Sequence, residues 1–277
     1  MKRLVLISCE RSGTNWHQDL LRNNASVFAL GELFNPIGAF GLVQYGQAGL
    51  TFFRDYFGDN TLQERSQRLT AALRSEPEIY LKLLENLADR QQKSVLSFLL
   101  FPDHLPDTAV RSLLDGDNTI AVFLVRNRLP RYVSLLKAMT LDIWRRHDTT
   151  DLRVTIDFDD FLAVSRAADD WFRKTSEWAF VSDCTSHRVS YENDLDKPPA
   201  EAYAALCRLL EPHLSPERPE TIHSSFFKQD DNRDVFRTIV EGEEVRRELN
   251  RRELLDYALS SPEVFGHPAG QGASSSR

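Results

Sequence analysis

The stretch Leu4-Val5-Leu6-Ile7-Ser8-Cys9-Glu10-Arg11-Ser12-Gly13-Thr14-Asn15-Trp16 decides the fold. Leu4 to Ser8 is a compact, partly β-branched run that stops at polar and glycine residues, the pattern of a central strand in a parallel sheet. From Thr14 to Asn23 the apolar positions Trp16, Leu20 and Leu21 fall on one helical face, and Asn23-Asn24 ends the segment. Val27 to Leu30 then offers a second strand. A glycine-bearing loop between a buried strand and a helix is an anion site by construction. The free N–H groups of the first helical turn converge where the helix dipole favours negative charge. Gly13 lets the backbone approach a ligand closely, Ser12, Thr14 and Asn15 add short polar donors, and Arg11 adds a planar charged fork. The segment lacks both the first Gly and the Lys of a nucleotide-triphosphatase loop, which weakens a kinase or ATPase reading. A capped helix start without a ligand remains the other reading of this motif alone.

Moving outward, Thr119 to Val125 is the strongest strand pattern in the chain and ends at Arg126, where ligands sit in open α/β sheets. A helix is expected from Pro130 to about Thr140, with Ser134 inside it. Taken together, Arg11-Ser12-Gly13-Thr14-Asn15-Trp16 and the pair Arg126 and Ser134, eight residues apart, resemble the two donor-binding motifs of the P-loop sulfotransferases. The resemblance implies that the first motif, Arg11 to Trp16, holds the 5′-phosphosulfate of 3′-phosphoadenosine-5′-phosphosulfate, and that Arg126 and Ser134 hold its 3′-phosphate. It also implies a P-loop-type three-layer α/β/α fold with a central parallel sheet.

Further segments are similar to pieces of the same family, on the side of the bacterial trehalose sulfotransferase-like and nodulation-type carbohydrate enzymes. Val189 to Leu195 resembles a strand-end segment whose Tyr, here Tyr191, contacts adenine; an ordinary half-buried Tyr is the competing reading. Lys228 to Arg233 resembles a late basic loop, which makes Arg233 a further donor ligand unless it only pairs with neighbouring acids. Gly31-Glu32-Leu33-Phe34 resembles a segment whose Glu is the general base, so Glu32 is the expected base, with Arg11 and Lys82 as the charges that stabilise transfer. A free Glu titrates near about 4.3, so a useful base there must be partly desolvated. Lys82 is read in a strand, Ile79 to Leu84, similar to a family segment facing the reaction centre. Some relatives use His as base, and His104 or His17 are the alternatives here. The acceptor pocket is expected from the Gly- and aromatic-rich segment 34 to 57, read as loop, and from Trp144, Arg145 and Arg146. The resemblance favours a hydroxyl of a carbohydrate, glycolipid or small metabolite. The donor already carries the activated group, so the chemistry requires no metal.

The rest of the chain fits one soluble enzyme. It has 277 residues, 42% of them hydrophobic and 27% charged, with a net charge of -7, and the acidic balance argues against nucleic acid as partner. Cys9, Cys184 and Cys207 are odd in number and unpaired by spacing, which suits a reducing, cytoplasmic setting. Lys2-Arg3 and the short apolar run after them imitate a signal peptide but read as a strand. No run approaches a membrane span. Helices are expected at 62 to 76, 159 to 180, 199 to 210 and 235 to 259, with a short strand at 187 to 191. One sulfotransferase domain over 1 to 266 and a disordered tail from 267 to 277 follow. A homo-oligomer stays open, as do a P-loop nucleotide kinase or hydrolase and a non-catalytic nucleotide-binding protein of the same fold.

Overall fold

Why β1 lies at the centre is visible in its burial: Lys2–Ile7 (β1) runs from two partly exposed residues into four with no exposed surface. A computed structural model describes residues 1–43, 48–144, 147–211, 213–215, 219, 221–222 and 234–266. After β1 come α1 (Thr14–Leu21), β2 (Val27–Ala29), α2 (Ala48–Phe57), α3 (Gln67–Ser75), α4 (Pro77–Arg90), β3 (Val95–Leu100), α5 (Asp107–Leu114), β4 (Thr119–Val125) and α6 (Arg128–Leu141). The chain continues through α7 (Phe158–Val181), β5 (Thr185–Ser190), a π-helical turn (Tyr191–Leu195), α8 (Pro199–Leu209), a 3-10 turn (Val235–Thr238), α9 (Gly242–Arg251) and α10 (Leu255–Leu259).

The five described strands form one sheet in the order β2-β3-β1-β4-β5, with every neighbouring pair parallel. Because successive strand residues point to opposite faces, each strand feeds two cores. Leu4 and Leu6 join Val122, Leu124 and Val189 under α1 and α8. Val5 and Ile7 join Phe98, Ala121 and Phe123 under α2, α3, α4, α5 and α7. This is the expected three-layer α/β/α architecture around a parallel sheet. A third core, built on Leu129, Tyr132, Phe161, Phe236 and Leu249, joins α6 and the start of α7 to the C-terminal helices.

Three expectations change. Ile79 to Leu84 is helix, not strand: Pro77 opens α4, and Tyr80, Leu81, Leu84 and Ala88 bury one stripe at helical spacing. The expected loop over 34 to 57 ends in α2, whose buried Leu50 and Phe53 are three residues apart and whose aromatic rings pack on Tyr80. The expected helix over 235 to 259 is broken into three pieces, because Glu241 and Glu253 take left-handed backbone angles and a side chain at Gly242 would run into the Phe236 carbonyl. Two elements, β3 and α5, lie where no sequence expectation was drawn.

Polar side chains pin the sheet to its covers. Gln18 Nε2 on α1 donates to Ser97 Oγ on β3 at 3.0 Å, wholly inside the protein. His17, beside it, is also fully buried, and neither ring nitrogen has a hydrogen-bond partner among the described residues. Burial alone pushes its imidazole down to about 3. The unfolded chain therefore takes up this proton first as pH falls, so stability is complete above about pH 6.5 and declines below it. The expected outcome is that urea midpoints drop between pH 7 and pH 5 and drop less in His17→Leu, by up to about 2 kcal/mol. Parallel midpoints for the two proteins would contradict it.

Candidate functional site

The strand order makes the site. From β1 the chain turns toward the β2 edge, from β4 toward the β5 edge, and β1 and β4 are neighbours, so a crevice opens beyond their carboxyl ends. The end of β1 is clamped: Ser8 Oγ donates to the Leu124 carbonyl at 2.7 Å, and Trp171 Nε1 donates to the Ser8 carbonyl at 3.0 Å. The loop beyond it carries two left-handed residues, Arg11 at φ 66° and Gly13 at φ 89°. A left-handed non-glycine residue is uncommon and concentrates at functional sites. Gly13 then caps α1, whose first turn has no side-chain cap and no acidic residue. Among the described residues no side chain caps its first N–H groups.

Residues from three loops meet there. Arg11 Nε donates to Ser134 Oγ at 3.1 Å, and Arg11 Nη1 donates to the Trp144 carbonyl. Arg126 Nη1 donates to the Arg11 carbonyl at 2.7 Å, and its guanidinium lies over the Tyr191 ring at 4.4 Å. Burial, and then the charge of Arg126, push Arg11 down to about 10. The Tyr191 ring covers Gly13 so closely that a Cβ there would stand 2.5 Å from its Cδ2. Glu192 Oε1 accepts from the Asn127 backbone N–H at 2.9 Å, and burial raises its carboxyl, against the opposing pull of that N–H and of Arg126. Ser12 Oγ, Arg126 Nε and Glu192 Oε2 are buried without hydrogen-bond partners among the described residues. Two neighbouring guanidiniums, a bare helix start and an unpaired hydroxyl suit an anion with more than one charged group.

Of the residues expected at the site, Arg11, Ser12, Gly13, Thr14, Arg126, Ser134 and Tyr191 are brought to this crevice. Thr14 is buried and Asn15 partly buried on the first turn of α1. Trp16 donates its indole N–H to the Leu195 carbonyl at 3.1 Å and so braces α1 against the π-helical turn. Lys82 is a correction. It is an exposed residue of α4, 3.4 Å from Glu85, which also binds Arg3 near the start of β1. That is the amino edge of the sheet, opposite the crevice. Arg233, like Arg145 and Arg146, lies outside the described residues. Trp144 contributes its carbonyl to Arg11 and is itself half exposed.

Glu32 lies just past β2 and His104 just past β3, so both stand on the same carboxyl edge as the crevice. Two strand spacings, ~10 Å, separate the ends of β2 and β1. Glu32 Oε2 accepts from Asn35 Nδ2 at 2.7 Å and is 3.8 Å from His104 Nε2. His104 has no exposed surface, and burial is the largest cause that brings its imidazole down to about 4. Sequence reasoning treated these two as rival bases; the fold makes them neighbours. It also passed over Glu192 as a buried carboxylate and the Trp144 carbonyl as a partner, because both contacts join residues far apart in the chain. Among the described residues no group of three or more His, Cys, Asp or Glu is placed to hold a metal ion.

The family model for the sulfotransferase domain matches residues 1–253. Two solved structures are similar in part. A sulfotransferase domain from the curacin biosynthetic pathway has 17% identity and a TM-score of 0.41, over 75% of this chain and 72% of its own. The sulfotransferase domain of the Synechococcus PCC 7002 olefin synthase has 17% identity and a TM-score of 0.39, over 75% and 72%. No curated protein matches the sequence.

Replacing Gly13 with Ala should force the Tyr191 ring off the loop while straining a left-handed backbone, at a cost of roughly 1–3 kcal/mol. The expected reading is a lower melting temperature that Gly13→Ala/Tyr191→Ala recovers only in part. Full recovery in the double variant would mean that the ring contact, and not the backbone angle, sets the requirement for glycine.

Proposed function

The chain belongs to the sulfotransferase domain family, and we propose that it transfers the sulfuryl group of 3′-phosphoadenosine-5′-phosphosulfate to a hydroxyl of a carbohydrate, glycolipid or small metabolite. The observation that carries this reading is the meeting of Arg11, Arg126, Ser134 and Tyr191 beyond the ends of β1, β4 and β5. On it, the loop from Arg11 to Trp16 and the start of α1 take the 5′-phosphosulfate. Arg126 and Ser134 take the 3′-phosphate, and Tyr191 faces adenine. By the same resemblance Arg233 is a further donor ligand.

Transfer runs in line. The acceptor oxygen attacks sulfur, the bond from sulfur to the bridging oxygen breaks, and its electron pair stays on the departing 5′-phosphate. Glu32 takes the acceptor's proton, and Arg11 stabilises the charge that develops on the moving sulfuryl oxygens and the phosphate. The reaction needs no metal in this scheme. Lys82 is left out of it, since it sits on the far edge of the sheet. The resemblance of Gly31-Glu32-Leu33-Phe34 supports kinship with the bacterial trehalose sulfotransferase-like or nodulation-type enzymes, and residues 1 to 266 act as one domain in this reading. No described helix is long and apolar enough to cross a membrane, and a cytoplasmic enzyme is part of the proposal.

Thermal shift with the desulfated donor, 3′-phosphoadenosine-5′-phosphate, against ATP-magnesium tests the donor. Stabilisation by the former is expected, since a ligand specific to the native state raises its apparent stability. Preference for ATP-magnesium overturns the reading. Arg126→Ala removes charge-assisted hydrogen bonds worth about 1.5–3 kcal/mol, so affinity for the desulfated donor should fall about 10- to 100-fold. Unchanged affinity would take Arg126 out of the site. Glu32→Gln should keep donor binding and lose at least about a hundredfold in single-turnover sulfation of a hydroxylated acceptor pool. Near-normal turnover would assign the base elsewhere.

A further inference from the structure

His104 is not an alternative to Glu32 but its partner. Its Nδ1 lies 3.4 Å from the Leu99 carbonyl, which can only accept, so Nδ1 carries the ring hydrogen and Nε2 presents a lone pair. That lone pair is buried, has no hydrogen-bond partner among the described residues, and faces Glu32 Oε2 across 3.8 Å. The Phe101 ring, 4.9 Å away centre to centre, lies beside the imidazole, and Arg74 on α3 holds the His104 and Asp103 carbonyls with its Nε and Nη2 at 2.9 and 3.1 Å. The ring is therefore fixed in place by three elements.

A carboxylate and a bare imidazole nitrogen set face to face have only lone pairs to offer each other. One proton changes this: a protonated carboxyl, still accepting from Asn35, can donate to the buried Nε2. We propose that Glu32 and His104 form a proton-holding pair, in which His104 Nε2 accepts a hydrogen bond from Glu32 once Glu32 has taken the acceptor's hydroxyl proton. This rests on the reading of Glu32 as base. Three charged groups act on the imidazole: Glu32 from the loop after β2, Asp103 from its own loop, whose charge favours imidazolium, and Arg74 from α3, whose charge opposes it. Burial is the largest influence on the imidazole and disfavours its charged form, which suits Nε2 to accept rather than to take the proton. His104 is thus a positioning residue. It stabilises the protonated base without touching substrate, and the pair releases the proton to solvent when the product leaves.

Two measurements test this, one of them independent of turnover. In the wild type, nitrogen NMR of the imidazole should show the hydrogen on Nδ1 and an Nε2 signal that responds to a second titration, that of Glu32; in Glu32→Gln that response disappears. Nε2 bearing the hydrogen, or an Nε2 titration unchanged in Glu32→Gln, overturns the pair. In His104→Gln, whose amide would donate to the carboxylate and favour its charged form, kcat should fall at least about tenfold with affinity for the desulfated donor intact. The acidic limb of the kcat profile should move down by about one pH unit. A fall in kcat with the limb in place would mark a merely structural role and overturn the proposal. Linked titration in a protein that sulfates no acceptor would instead uphold the pair and overturn the functional reading.

Discussion

A single backbone carbonyl, that of Arg11, holds the crevice together by accepting from Arg126. The bond brings two guanidiniums into one partly buried place, where burial first and the repulsion of like charges second weaken the hold of Arg11 on its proton. Everything around them answers that repulsion. The Tyr191 ring offers its negative face to Arg126, the Ser134 hydroxyl and the Trp144 carbonyl accept from Arg11, and Glu192 stands close enough to Arg126 to feel its charge. Two guanidiniums thus meet in a protein whose net charge is -7, and an anion arriving there meets donors already held in place by these contacts.

The same bond explains the loop's odd backbone. Arg11 points its carbonyl at Arg126 and its side chain at Ser134 while holding a left-handed angle, and Gly13 can lie beneath Tyr191 only by lacking a side chain. The clamps on Ser8 fix the strand end from which both follow. Strain in the loop is thus held by fully buried neighbours, where close packing resists relaxation.

How much of this the sequence carried depends on the distance over which each contact acts. The parallel sheet and the loop after β1 were legible because buried strands are continuous apolar runs and a glycine beside small polar residues marks a strand-to-helix turn. The placement of Arg126 and Ser134 was legible for the same local reason, since both hang on β4 and the helix after it. The error at 79 to 84 came from reading Ile79-Tyr80-Leu81 as a run, when Ile79 is exposed and the true stripe continues to Leu84 and Ala88. That error carried Lys82 to the wrong edge of the sheet. The meeting of Glu32 with His104, and of Glu192 with Asn127, was not legible, because each joins segments that only the strand order brings together.

The strand order has one more consequence. Glu32 and His104 hang from β2 and β3 on one side of β1, while Arg126 and Tyr191 follow β4 and β5 on the other. The carboxyl edge is therefore divided into two flanks. Substitutions confined to the loops after β2 and β3 can alter one half of the crevice without reaching the residues that Arg11 and Arg126 touch. β1 thus separates the flank that would handle the acceptor's proton from the flank that gathers the guanidiniums.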